Sequence, residues 1–166
     1  MALYGQWANN RLLQAIKSVS ASLYHQNYDL PYHSIHGTLN HLIAANQLWQ
    51  FRLTGTGNMP PSLTHIFYKQ FEEVAESLKD FDVFWIDFLY NQSASWLDNK
   101  SAFTLQDGRS FHFPNQWLLA HFWNHQSLIR GQLQAALQQQ KIPCLSLEML
   151  TYFMENGLDF SNVKND

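Results

Sequence analysis

Apolar residues recur at helical spacing along most of the chain. From Leu3 to about Ser20, the residues Leu3, Trp7, Leu12, Ile16 and Val19 form one stripe, with Asn10, Arg11, Gln14 and Lys17 largely off it. The period is lost between Ala21 and His33, where Pro31 also falls, and this stretch reads as a loop. A second helix is predicted from Ser34, whose hydroxyl can cap the free N–H groups of the first turn. Its apolar face is Ile35, Leu39, Leu42, Trp49 and Leu53, with His41 on the edge; Gly55, Gly57 and Pro60–Pro61 then end it. Ser62 is the expected cap of a third helix carrying Ile66, Phe67, Phe71, Val74 and Leu78. That helix either continues or breaks near Asp80, before Phe81, Phe84, Trp85 and Phe88.

Between Ser101 and Phe113 the pattern changes. Two short segments, 102–105 and 110–113, flank Asp107–Gly108, where glycine tolerates the positive φ of a tight reversal, and a β-hairpin is predicted. Pro114 can open a fourth long helix over about Asn115 to Gln140, because its missing N–H would be unpaired in the first turn anyway. The first half of that helix is apolar on most sides (Trp117, Leu118, Leu119, Phe122, Trp123, Leu128, Ile129), as expected of an element with several neighbours. After Pro143, Leu147, Leu150 and Met154 predict a short closing helix near 145–154 that covers the bundle. The expected architecture is all-α: a four-helix bundle with a crossover connection, a short hairpin insertion and a C-terminal capping helix, in a single domain over 1–166.

Composition narrows the function classes. Hydrophobic residues make up 46% of the 166-residue chain, enough for a core without staples, and the lone Cys144 cannot form an intrachain disulfide. No apolar run approaches the roughly 18 residues of a membrane span, and no leader-like segment opens the sequence, so no membrane association and a cytoplasmic location are expected. The net charge is −3 and the basic residues are scattered, which disfavours nucleic acid as a partner. Low charge, together with the apolar girth of the fourth helix, predicts a two-fold homodimer.

Of eight histidines, most sit where a surface or hydrogen-bonded role suffices: His25 and His33 in the first loop, His65 in the predicted start of the third helix, His112 on the hairpin. His36 suits helix capping or the rim of a pocket. His121 and His125 differ, because four residues apart on a helix they share a face and can converge on one ion. A third group from another helix would be needed, and His41 is the candidate. Arg130 reads as a salt bridge or an anion contact, Gly131 as a point of close helix approach, and Asn40 and Asn124 as residues that orient the neighbouring histidines or bridge helices.

Four segments in order, YGQWANNRLL, SIHGTLNHLIAANQLW, LLAHFWNHQSLIRGQLQAAL and LEMLTYFMEN, resemble the DinB-like family, the YfiT-like metal-dependent hydrolases, over nearly the whole chain. The resemblance implies an up-down-down-up bundle, commonly homodimeric, with nickel or zinc held by three histidines. Some relatives are hydrolases or thiol-dependent transferases. By that resemblance the second-helix ligand falls on His41 and the first fourth-helix ligand on His125. The family reads Asn-His-Gln-Thr-His-His before Arg-Gly-Gln, whereas this chain has Leu128 and Ile129 at the two later histidines, so the third ligand position is Ile129.

Two functions follow from these readings. In one, His41 and His125, joined by His121 or water, hold nickel or zinc weakly or partially, and the protein is a metal-dependent hydrolase or thiol-dependent transferase. In the other, the site is degenerate and metal-free, and the bundle binds a small molecule, a thiol ligand or a partner. Ile129 favours the second and the retained histidines the first.

Overall fold

The computed structural model describes residues 1–105 and 107–157; the single-domain reading over 1–166 also takes in Gln106 and 158–166, which lie outside the described residues. Four long helices form the bundle: α1 (Ala2–Ile16), α3 (Ile35–Thr54), α4 (Phe71–Tyr90) and α6 (Asn115–Gln139). The shorter elements are α2 (Ala21–His25), α5 (Ala94–Asp98), strands β1 (Lys100–Thr104) and β2 (Ser110–Pro114), and α7 (Met149–Glu155).

Side-chain contacts fix the helix directions. Gly5 lies against Trp123 and Asn9 bonds Arg130, so α1 and α6 run parallel. Leu39 joins Leu133 and Leu137 at one end while Trp49 meets Phe122 at the other, so α3 runs against α6. Ile35 clusters with Val74, and Asn46 bonds Trp85, so α3 and α4 are parallel. The bundle is therefore up-down-down-up. Its parallel pair, α3 and α4, forces a long crossover, residues 55–70, to carry the chain back.

The core has two apolar clusters. One gathers Leu12, Ile16, Ile35, Leu39, Leu78, Ile129 and Leu133; the other gathers Trp49, Leu53, Trp85, Leu118 and Phe122. Between them along each helix falls a buried polar residue: Asn9, Asn46, Asp82 and Gln126. Asn9 donates to Asp82 (2.8 Å) and accepts from Arg130 (3.2 Å), while Asn46 accepts from the Trp85 indole (2.8 Å). Arg130 is thus a buried structural residue.

Several expectations are corrected. The loop after α1 contains α2, capped by Ser20. Helix α1 ends at Ile16, and Leu3 is exposed while Tyr4 and Ala8 turn inward. The third long helix begins at Phe71, not after Ser62, and runs unbroken past Asp80. Its start is marked by Glu73, whose carboxylate accepts from the Gln70 N–H (3.4 Å), and by acidic residues in the first turn that suit the helix dipole. The closing helix begins at Met149 and caps α1 through Tyr152, whose ring meets Tyr4 and Trp7, rather than through the exposed Leu150 and Met154; Leu147, just before it, is buried. At Gly131 an added Cβ would meet nothing among the described residues, so it marks no close approach among them; Gly5, against the Trp123 ring, does. Ser34 caps α3 through the Gly37 N–H (3.0 Å), and Gly55, with φ of 68°, ends it. The hairpin forms as expected, with Gly108 at φ 84°.

Candidate functional site: a histidine pair between α3 and α6

His41 and His125 come from antiparallel helices and meet with their Nε2 atoms 3.0 Å apart, rings roughly perpendicular at 80°. His41 is almost wholly enclosed and His125 half-buried, so the pair opens to solvent on the α6 side. The Leu63 carbonyl lies 2.9 Å from His41 Nδ1. A carbonyl can only accept, so Nδ1 carries the proton and the Nε2 lone pair points at His125, which donates from its own Nε2–H. One proton is thereby held between the two rings. Burial pushes both imidazoles below their ordinary pKa of 6.5; the Leu63 bond partly offsets this at His41, and the neighbouring imidazoles add to the lowering at each.

Two segments remote in sequence wall the pair. Tyr32 stacks on His41 with centroids 3.7 Å apart and planes 12° from parallel. It is held there by a tight loop in which Asp29 and His33 adopt left-handed backbone and Tyr28 N–H bonds the His33 carbonyl. The crossover forms the other wall. Asn40 accepts from the N–H groups of Phe67 and Tyr68 and donates to the Tyr68 carbonyl, which also pairs with His36 Nε2 (2.9 Å). Asn40 and His36 are clamps for the crossover, whereas Asn124 is exposed. Tyr32 and Leu63 escape sequence reasoning because neither has a local pattern pointing at His41.

His121 is exposed and lies parallel to His125, centroids 6.3 Å apart, with its ring against Trp49. Ile129 is buried in the first apolar cluster. Among the described residues no three His, Cys, Asp or Glu side chains gather as a group able to hold a metal ion. The donor set fits a two-imidazole chelate, since ligands at about 2.1 Å set at a right angle stand about 3 Å apart, and a carbonyl-bound Nδ1–H is the usual support of a ligating histidine. It does not fit a three-histidine centre.

The model of the DinB family matches residues 1–140. The chain belongs to the DinB family. Its fold is similar to the crystal structure of a DinB-like protein from Bacillus cereus ATCC 10987, with a TM-score of 0.66 at 14% identity, covering 84% of this chain and 90% of that one. No curated protein matches. The matched span of this DinB-family chain includes both His41 and His125, along with every helix of the bundle. No helix among its described residues is long and apolar enough to cross a membrane.

Proposed function

We propose that this DinB-family protein is a ligand-binding bundle whose His41–His125 pair is a reduced form of a three-histidine metal centre. The observation that carries this reading is Ile129: it lies one turn beyond His125 and its side chain is sealed in the apolar cluster, where no donor can be offered. Two imidazoles chelate nickel or zinc weakly, and His121 completes the set only if it turns from Trp49 toward the pair. A bound ion at this place would supply Lewis acidity toward a thiol or water; the residues present secure its position too poorly for hydrolase or thiol-transferase turnover.

The test is metal titration of tag-free protein by calorimetry. Wild type should bind nickel or zinc weakly, His125→Ala should lose that binding, and Ile129→His should strengthen it by an order of magnitude or more. An Ile129→His protein that binds both metals no better than wild type removes the pair from consideration as a metal site. A wild type that binds neither while Ile129→His binds both would establish the metal-free reading.

The protein is further proposed to act as a homodimer through α6. Trp117, His121, Asn124, Leu128 and Gly131 are all exposed and follow one another at three- and four-residue intervals along one face. Trp117 and Leu128 are 62% and 59% exposed, unusually open for such large apolar groups on a long helix.

A further inference from the structure

A cavity of about 450 Å³ lies between the hairpin and the bundle, beyond His121 from the histidine pair. Alternation along the strands turns Phe103, Leu105, Phe111 and Phe113 toward it, and Trp49, Arg52 and Trp117 complete most of the wall. The phenylalanines are only half-buried, so the hairpin roofs the space without filling it.

Among the described residues lining this cavity, Arg52 is the single formally charged one. Its guanidinium lies 4.5 Å from the Phe103 ring centroid and 5.3 Å from that of Trp49. Among the described residues it makes no ion pair, whereas Arg11 and Arg109 each have a carboxylate. Aromatic faces hold the guanidinium in place while leaving its hydrogen-bond donors unspent among the described residues, and a planar fork of donors matches a carboxylate.

We propose that this cavity binds an apolar monocarboxylate: the body enters the aromatic chamber and the carboxylate pairs with Arg52. Charge complementarity selects an anion, because among the described residues no acidic side chain lines the space. Partial burial also pulls the Arg52 guanidinium below its ordinary pKa, a penalty that a bound anion relieves. The size is within the range of small-molecule pockets. The proposal is independent of any metal at His41 and His125.

Calorimetric titration with 2-naphthoate and its uncharged analogue 2-naphthamide tests it. Wild type should bind naphthoate about tenfold or more tighter than the amide, as expected for a charge-assisted hydrogen bond. Arg52→Gln should remove that preference by lowering the naphthoate affinity far more than the amide affinity, and Arg52→Lys should retain part of it. Lys79→Gln, which removes the same charge from an exposed site on α4, should change neither affinity. Thermal melts establish that each variant is folded. Equal affinity of wild type for the two compounds, binding of neither, or a preference that survives Arg52→Gln in a folded protein overturns the proposal.

Discussion

Two buried titratable sites give this protein opposed responses to pH. At the histidine pair, burial favours the neutral rings, so the unfolded chain takes up protons first as the solution is acidified. The stability gained by holding the rings neutral is whole above about pH 6.5 and is lost as pH falls through the lower folded values. Replacing His125 with Gln should flatten this acid limb; denaturant unfolding at about pH 7.5 and 5 measures it, and an unchanged slope refutes it. Asp82 works the other way. Burial pushes its carboxyl up to about 7 from 3.8, against the opposing Asn9 hydrogen bond and Arg130 charge, and its Oδ2 has no partner among the described residues. Between about pH 4 and 7 the folded chain keeps a proton that the unfolded chain releases, so this contribution falls as pH rises. Asp82→Asn should therefore gain on wild type across that window and level off above it. A stability difference that stays constant with pH would show that Asp82 is ionised throughout.

The crossover is the element least readable from local sequence. Ser62 followed by apolar residues looks like a helix start, yet the backbone N–H groups of Phe67 and Tyr68 are taken by Asn40, and the Leu63 and Tyr68 carbonyls by His41 and His36. These tertiary bonds satisfy the segment without helix, and the helix waits for the Gln70–Glu73 signal. Glycines show the same dependence on context. A Cβ at Gly37 would press on the Tyr32 backbone carbonyl, so Gly37→Ala should cost about 1–3 kcal/mol and shift Tyr32 from its place over His41. Thermal denaturation reads the first effect, and the ring-current shift of the His41 imidazole protons in NMR spectra, set by the stacked Tyr32, reads the second. At Gly131 the space is open among the described residues, and Gly131→Ala should instead raise helix stability by up to about 1 kcal/mol. If the α6 face pairs two copies closely at Gly131, the same substitution weakens the dimer, which separates the two roles of that position.

At the scale of the whole molecule, the bundle buries one face of each long helix and leaves the Trp117–Leu128 face of α6 open. Sedimentation equilibrium should give a dimer mass at tens of micromolar, and Leu128→Glu should shift it to a folded monomer whose thermal melt no longer depends on protein concentration, since this residue is exposed and lies outside both apolar clusters. A monomer mass for wild type ends the dimer reading.

Periodicity together with local caps and turn residues determined three of the long helices, the presence but not the bounds of α4, the hairpin at Asp107–Gly108 and the inward edge on which His41 lies, because each depends on residues within a few positions of one another. The ordered family segments likewise singled out His41, His125 and the break at Ile129 before any distance was known. Only the tertiary structure decided where α4 begins, that Gly5 rather than Gly131 is the tight contact, that Arg130 joins Asn9 in a buried polar layer, and that Tyr32 and Leu63 complete the surroundings of His41. Each of these depends on partners at least five residues away, and most on partners in another helix. Such contacts leave no period in the sequence, and the chain acquires them only when the helices pack.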